Sequence, residues 1–344
     1  MAVEMRELRN KLGTYWRVRG SGVWRAAGAP LPARVAAVLR AAPVDPDRAV
    51  FELEGIAFDE TRAAWTAGRE PRGLLNGEEA RGLPEESLIL LHSGVGLALA
   101  SRLLRPLRAS SPAAAFDAAL GSFLDLCRAN AQPAYLPVTR EPLGLAVRMF
   151  QPRLTAAVDA GLRRIDPDLA AGFWHGAGRA LYFRPSHLLP GGLARAVASC
   201  RREPPSAPPA DNRLDALAGL AFAVSMVNLN HPGALERLLD QVVESGQEIL
   251  AITSGVVGCL LARHHTTPAD PAIAAFLAHR PADPRRRETW ERRVSAPGAS
   301  ALARLYPALR AAGRLGDFAR FQRLAAVEES LQEEARRCAL GSQS

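Results

Sequence analysis

Apolar and polar positions follow the period of an α-helix along most of the chain, between short stretches rich in proline and glycine. Strand-like alternation is nearly absent, although "AVFELEGIAF" (49–58) fits either a strand or the start of a helix. The pattern therefore predicts a mainly α-helical protein of closely packed helices with few or no strands. The predicted helices cover residues 86–108, 113–130, 152–164, 168–184, 193–202, 213–229, 233–245, 247–263, 271–279, 298–312 and 316–338.

The helix predicted from residue 113 has a recognisable start. Ser111 is a candidate N-cap, and Pro112 is a candidate first helical residue. A serine hydroxyl accepts hydrogen bonds from the free N–H groups at a helix start, and proline has no N–H that would need a partner there. We therefore expect Ser111 to cap this helix.

The chain length and one proline-rich stretch suggest two halves. With 344 residues the chain exceeds the size at which a single core usually suffices. The stretch "EPPSAPPADN" (203–212) has the composition of a linker. We predict a first helical half over 1–202 and a second over 213–344, with one continuous domain as the alternative.

Two short motifs occur twice in the same order. "LEGIAF" (53–58) resembles "LAGLAF" (217–222) at an offset of 164 residues, and "SGVGLALASRL" (93–103) resembles "SGVVGCLLARH" (254–264) at nearly the same offset. An ancient internal duplication would produce this order. Chance matching in a chain rich in alanine, leucine and glycine is the alternative, and the sequence leaves both open.

Several predicted helices carry glycine in their interior, where each glycine costs roughly 1 kcal/mol relative to alanine. Gly94, Gly176 and Gly255 are each followed four residues later by Ala or Cys, which gives each helix a smooth strip. Such strips permit close helix crossings, and we prefer that interpretation to a membrane helix dimer. A phosphate-binding glycine loop is excluded because "GVGLAL" and "GAGRAL" end in leucine and follow no clear strand.

The segment "FWHGAGRALYF" (173–183) holds the candidate catalytic residues. His175, Arg179 and Tyr182 lie at i, i+4 and i+7, on one helix face. In a binding site, Arg179 would bind an anionic or carbonyl group while His175 moves protons. The structural alternative is that each of the three satisfies a local hydrogen bond or ion pair. The candidate ligand-binding residues are Trp174, His92 and Asn228.

Composition and charge argue against a nucleic-acid partner. The formal net charge is +8 and the isoelectric point is near 10.1, and basic surfaces of this kind attract phosphates. However, Lys11 is the only lysine, so the basic residues are almost all arginine, in an alanine- and proline-rich background. Aromatic residues make up 6%, which is too few for base-stacking platforms. We therefore expect no nucleic-acid partner.

Membrane spans and secretion are also not expected. The longest apolar runs, "LILLHSGVGLALASRLL" and "ILAITSGVVGCLLA", fall short of the roughly 20 residues of a spanning helix. The amino-terminal segment has charges of both signs and no apolar run of signal-peptide length. The cysteines are far apart and form no CxxC pair. We expect a cytoplasmic protein with reduced cysteines; these are Cys127, Cys200, Cys259 and Cys338.

Common catalytic and cofactor motifs are absent. The chain has no HExxH, Walker loop, GxSxG elbow or aspartate-rich magnesium cluster. The adjacent His264 and His265 point in different directions and make a poor metal pair. We expect no metal and no cofactor, and the sequence leaves open whether the protein is an enzyme and whether it forms oligomers.

The glycine segments resemble those of the domain of unknown function 1702 family, which is found in bacterial clusters for enediyne polyketides. "GVGLALASRL" (94–103) and "GAGRALYF" (176–183) are similar to two of that family's glycine motifs, and Arg179 is the most informative match. "LEGIAF" and "LAGLAF" look like two further segments of the family in matching order. The resemblance covers about residues 50–265 and supplies no catalytic residues.

That resemblance implies a bacterial cytoplasmic protein in enediyne-like polyketide biosynthesis. It would act as a tailoring or cyclisation factor, or bind the hydrophobic polyene intermediate in an apolar cavity between helices. The alternative function is a non-catalytic helical scaffold that binds a biosynthetic partner protein through its arginine-rich surface.

Overall fold

The computed structural model describes residues 2–20, 29–188, 190–205, 211–242 and 246–319. Within those ranges the chain is helical and contains no strand, which confirms the predicted mainly α-helical fold. The α-helices are α1 (Ala2–Gly20), α2 (Leu31–Ala41), α3 (Pro46–Thr66), α4 (Leu88–Leu103), α5 (Ala113–Asn130), α6 (Leu136–Arg140), α7 (Pro142–Phe150), α8 (Thr155–Ile165), α9 (Leu169–Phe183), α10 (Gly192–Arg201), α11 (Asn212–Val227), α12 (Gly233–Asp240), α13 (Gly246–Thr266), α14 (Pro271–Leu277), α15 (Pro284–Trp290), α16 (Ala296–Ser300) and α17 (Tyr306–Ala311).

Tighter and wider helical turns connect or extend these elements. The 3₁₀-helices are Glu78–Ala80, Glu85–Ser87, Pro133–Tyr135, Pro152–Leu154, Pro185–His187 and Leu315–Ala319. Two π-helical segments, Glu291–Ser295 and Ala301–Leu305, join α15, α16 and α17 into one continuous helical segment. A proline ring crowds the carbonyl four residues before it, and for Pro297 and Pro307 that carbonyl lies inside a π segment. The wider π turns therefore let the helix continue past both prolines.

Most predicted helices are present with shifted ends, but α1, α2, α3, α6, α7 and α15 lie outside the predicted ranges. Residues 49–58 are helical and belong to α3. The stretch 133–142, which is rich in proline and lies between two predicted helices, contains α6 and the start of α7, where the prolines occupy first-turn positions that tolerate them. The helix predicted over 316–338 begins as the 3₁₀-helix Leu315–Ala319, and the rest of it lies outside the described residues.

The predicted cap at Ser111 is wrong. Helix α5 begins at Ala113 with Pro112 in the N-cap position and no side-chain cap. The Ser111 hydroxyl instead accepts a hydrogen bond of 2.9 Å from the N–H of Arg108. The serine therefore closes the preceding turn, because Pro112 stands between it and the first helical residue.

Six helices form the core in a continuous series. Helix α3 packs on α4, α4 on α7, α7 on α9, α9 on α11, and α11 on α13, which in turn contacts α3 and α4. Their buried apolar side chains belong to one hydrophobic cluster. The series crosses the predicted linker, of which residues 206–210 lie outside the described ranges, so the division into two halves remains a prediction.

Gly94, Gly176 and Gly255 lie at close helix crossings, as expected. A Cβ added at Gly94 would lie 2.1 Å from the carbonyl oxygen of Glu54, and one at Gly176 would lie 2.3 Å from that of Glu141. At Gly255 the nearest atom would be the carbonyl oxygen of Ala218, also at 2.1 Å. Any side chain at these positions would push two backbones apart, so the helices touch through bare backbone.

No helix within the described ranges is both long enough and apolar enough to cross a bilayer.

Candidate functional site

A buried carboxylate, Glu141, joins the two best candidate residues of α9. His175 Nδ1 lies 2.6 Å from Glu141 Oε1, and Arg179 donates a hydrogen bond of 2.7 Å to Oε2 of the same carboxylate. Glu141 stands between α6 and α7, and Gly176 lets the Glu141 backbone approach α9 closely. The glycine strip thus brings the carboxylate within reach of both side chains.

Helices α3 and α4 add a second carboxylate to this cluster. Arg179 also lies 3.6 Å from Glu54 Oε1, and Ser93 donates a hydrogen bond of 2.7 Å to the same oxygen. Gly94 allows the α3 backbone to pack against α4 beside Ser93. The Arg179 guanidinium therefore pairs with two carboxylates, Glu141 between α6 and α7 and Glu54 in α3. We call Glu54, Ser93, Glu141, His175 and Arg179 the polar cluster.

The protonation states in the polar cluster follow from its contacts. Burial alone would raise the pKa of Glu141, but Arg179 and the hydrogen bond from His175 outweigh burial and hold it below its usual value. Burial lowers the pKa of His175, although its hydrogen bond to Glu141 acts in the opposite direction. Neutral His175 donates from Nδ1 to the ionised Glu141, so Nε2 is the nitrogen that can accept a proton.

A narrow cleft reaches the polar cluster. It has a volume of about 50 Å³ and is otherwise lined by apolar side chains, among them Phe51, Phe222 and Met226. Phe318 and Ala319, at the end of the described chain, also line it. The Arg179 side chain, which lines the cleft, keeps 16% of its surface exposed. The volume accommodates a few water molecules or the end of a small molecule.

Tyr182 and Asn228 lie together but apart from the cleft. The Tyr182 hydroxyl accepts a hydrogen bond of 2.7 Å from Asn228, and the Lys11 ammonium stands 3.9 Å from the centre of the tyrosine ring. Burial raises the pKa of Tyr182 well above its usual value, so its hydroxyl stays protonated. Neither residue lines the cleft beside His175. The structure thus brings together His175 and Arg179 but not the predicted trio.

Trp174 and His92 make hydrogen bonds inside the protein, away from the cleft. The Trp174 indole donates a hydrogen bond of 2.8 Å to Asp159 on α8. His92 accepts a hydrogen bond of 3.0 Å at Nε2 from the N–H of Gln132, so its Nδ1 donates to the Leu88 carbonyl at 2.6 Å. Burial lowers the pKa of His92 to about 4. Neither residue lines the cleft.

Sequence analysis missed three members of the polar cluster. Glu54 lies inside the repeated motif "LEGIAF", where a single carboxylate in an otherwise apolar segment is unusual enough to have been noticed. Ser93 directly precedes Gly94 in the other repeated motif. Glu141 lies among prolines in a stretch predicted to be irregular, so no helical face linked it to His175.

No metal site is evident in the part of the chain that the structure describes, since no group of three or more His, Cys, Asp or Glu side chains is placed to hold an ion. Of the cysteines, Cys127, Cys200 and Cys259 are buried free thiols, and Cys338 lies outside the described ranges.

No family model, no curated protein and no solved structure matches this chain. The function is therefore inferred from the geometry of the site and from the sequence motifs.

Proposed function

We propose that the protein binds an apolar small molecule at the cleft and that His175, oriented by Glu141, moves a proton on that molecule. The hydrogen bond of 2.6 Å between His175 Nδ1 and Glu141, both in the lining of a mostly apolar cleft, carries this proposal. The reaction would be a tailoring or cyclisation step on a polyene in enediyne-like polyketide biosynthesis, in the cytoplasm of a bacterium.

The carboxylate–histidine pair has the arrangement that proton transfer needs. Glu141 fixes the tautomer of His175 and stabilises the imidazolium that forms when Nε2 accepts a proton. Returning that proton to another atom of the same molecule completes an isomerisation or cyclisation without a cofactor. Arg179 lies beside the pair and would stabilise negative charge that develops on an oxygen of the substrate.

The biosynthetic context has separate support. The glycine motifs at 94–103 and 176–183 resemble those of the domain of unknown function 1702 family, and the second of them contains Arg179. The apolar lining of the cleft suits a hydrocarbon, and its volume of about 50 Å³ admits only one end of a long polyene. We therefore infer that the substrate presents one terminus to His175.

The proposal is tested in the native host by replacing His175 with Asn. An asparagine amide can still donate to Glu141 but cannot accept a substrate proton, so fold and binding should persist while the reaction stops. We expect polyketide products to fall at least about tenfold and a polyene precursor to accumulate, measured by liquid chromatography and mass spectrometry.

Two control variants make the result decisive. His231→Asn changes a partly exposed histidine that does not line the cleft and should leave the products unchanged. Met226→Phe narrows the cleft and should reduce the polyene that is extracted from the purified protein, whereas Met149→Phe, away from the cleft, should not. Wild-type product levels in the His175→Asn strain would contradict the proposed function.

A second candidate function, a scaffold for a partner protein, is favoured by the outer face of α1. Met5, Leu12 and Trp16 repeat at helical spacing and are 62%, 43% and 69% exposed. Arg6 and Arg9 are exposed beside them. An apolar stripe flanked by arginine suits a partner with an acidic rim around an apolar groove.

The scaffold function is tested with a double replacement, Leu12→Glu with Trp16→Glu. A photoactivatable residue placed at Met5 first identifies the partner in the native host, and binding is then measured with the two purified proteins. We expect the double variant to bind at least about tenfold more weakly with unchanged thermal stability. Equal binding by the variant would exclude this face.

A further inference from the structure

Lys11 occupies an unusual position for its residue type. It is the only lysine among 43 lysine and arginine residues, and it is 4% exposed. Lysine is almost never buried to this extent, and arginine is generally better suited to a buried ion pair. A chain that uses arginine at every other cationic position thus has its single primary amine side chain inside the protein.

The Lys11 ammonium has three partners. Nζ lies 2.8 Å from Glu7 Oε1, one turn earlier on α1, and 3.3 Å from the carbonyl oxygen of His187. It also stands 3.9 Å from the centre of the Tyr182 ring. The same Glu7 carboxylate pairs with Arg237 of α12, which holds it in place.

Lys11 and Glu7 line a pocket of about 260 Å³ between α1, α10 and α12. Its wall also includes His187, Gly192, Arg237 and Asp240. Drug-sized pockets span roughly 300–1,000 Å³, so this one suits a smaller molecule. The pocket shares no lining residue with the cleft beside His175.

We propose that Lys11 is a nucleophilic amine that forms an imine with a small aldehyde or ketone bound in this pocket. An arginine could make the same ion pair but could not serve this reaction, because its guanidinium does not lose its proton in proteins. Burial lowers the pKa of Lys11, and Glu7 opposes that effect. At neutral pH a larger fraction of Lys11 than of an exposed lysine is therefore the neutral amine that attacks a carbonyl.

Each step balances within the pocket. The ammonium gives one proton to Glu7, and the amine nitrogen then attacks the carbonyl carbon. Glu7 returns that proton to the carbonyl oxygen and takes a second proton from the attacking nitrogen, which leaves a neutral carbinolamine. Glu7 then gives the second proton to the hydroxyl, which leaves as water as the C=N bond forms, and the resulting iminium gives its last N–H proton to Glu7. The sum is amine plus carbonyl compound giving imine plus water, with no change in oxidation state.

Reductive trapping tests the proposal directly on the full chain. The folded protein is treated at pH 7 with propanal and cyanoborohydride, and alkylation of Lys11 is followed by peptide mapping, which separates it from the terminal α-amine. We expect Lys11 to react at least about tenfold faster than N-acetyl-lysine amide. A buried lysine with a purely structural role would react more slowly than this free model amine, and that result would overturn the proposal.

Two further measurements separate reactivity from unfolding. In denaturant, Lys11 should react at the rate of the model amine, so a faster rate in the folded protein would come from the pocket. Glu7→Gln keeps a side chain of the same size but removes the carboxylate that raises the pKa of Lys11, so more of the amine is neutral and trapping at pH 7 should be several-fold faster without exposing Lys11. Trapping that is equally fast in folded and denatured protein would also overturn the proposal. None of these measurements depends on the polyene substrate or on His175.

Discussion

The helix pairs α3–α4 and α11–α13 have the same packing geometry. A Cβ on Gly94 would meet the carbonyl oxygen of Glu54 at 2.1 Å and the Cβ of Ala57 at 3.0 Å. A Cβ on Gly255 would meet the carbonyl oxygen of Ala218 at 2.1 Å and the Cβ of Ala221 at 3.0 Å. These are the residues that the repeated sequence motifs align, so an internal duplication would account for both the motifs and the packing.

The two pairs differ in the side chains beside the shared crossing. Glu54 in α3 corresponds to Ala218 in α11, and His92 in α4 corresponds to Thr253 in α13. Only the first pair supplies a carboxylate to the polar cluster. The close crossing therefore forms without the polar groups, and Glu54 is an addition to a framework that does not need it for packing. This difference is the best indication that the polar cluster serves a function beyond stability.

The largest expected effect comes from removing the Arg179 guanidinium, which pairs with Glu54 of the first pair. Arg179→Met leaves Glu54 and Glu141 close together without their shared cation. We expect the free energy of unfolding at pH 7 to fall by about 3–5 kcal/mol, because an uncompensated buried charge is costly. Chemical denaturation measures this loss.

Two variants control for side-chain removal. Arg179→Met combined with Glu141→Gln removes one of the two uncompensated carboxylates and should recover part of the loss. Arg213→Met removes an exposed arginine that pairs with Asp211 and should change stability by less than about 1 kcal/mol. A loss of the same small size at Arg179 would show that the cluster is well hydrated and not electrostatically coupled.

A slightly smaller effect is expected when the shared crossing is disrupted in either pair. In Gly94→Ala and Gly255→Ala the new methyl group would overlap a carbonyl oxygen of the facing helix. We expect each variant to lose about 3 kcal/mol, measured by chemical denaturation, because the two backbones must separate. Similar losses would support the structural equivalence of the two pairs.

A glycine outside the crossings provides the control. Gly121 lies in α5, and a Cβ added there would meet no atom within 4 Å. Gly121→Ala should therefore stabilise the protein by up to about 1 kcal/mol, from helix propensity alone. If Gly94→Ala were also stabilising, the close crossing at α3–α4 would not exist.

The repeated framework could be predicted from sequence because it depends on local patterns. Glycine followed by a small residue four positions later identifies a close crossing without any knowledge of the partner helix, as at Gly94 and Gly255. The helical period likewise gave most helices, since their apolar faces follow the chain directly. Both depend on residues that are near each other in sequence.

The polar cluster could be predicted only in part because its members are distant in sequence. His175 and Arg179 share one helix and were found by their spacing, whereas Glu54 and Glu141 reach them from other elements. Tyr182 shares the helix face, yet Lys11 and Asn228 surround it instead of the cleft. Spacing along one helix therefore identifies which side chains face the same way, but not which partners meet them.

The first pair should also respond to acid at a position where the second does not, because Thr253 stands where the first pair has His92. His92 has a pKa of about 4 in the folded protein and an ordinary value near 6.5 when unfolded, so the unfolded chain binds the proton first. Its contribution to stability is complete above pH 6.5 and is lost as the pH falls towards 4. We expect His92 alone to account for a loss of about 2 kcal/mol between pH 7 and pH 5.

Denaturation curves at both pH values, with His92→Gln for comparison, measure this effect. Glutamine can still donate to the Leu88 carbonyl and accept from the N–H of Gln132, but it does not titrate. The variant should therefore be less sensitive to pH than the wild type by about the same amount. An unchanged pH sensitivity would mean that His92 is not the titrating group.

The smallest expected difference in stability is between replacements of two equivalent serines, one in each helix pair. Ser93 donates to Glu54, so Ser93→Ala should cost about 1–2 kcal/mol, because a hydrogen bond to a charged group is lost. Ser254, its counterpart in α13, is half-buried and has Ala218 where the first pair has Glu54, so Ser254→Ala should change stability by less than about 0.5 kcal/mol. Thermal and chemical denaturation of the two variants provide the measurement. Equal losses would mean that the hydrogen bond to Glu54 adds nothing, and Glu54 would then have to be explained by its pairing with Arg179 alone.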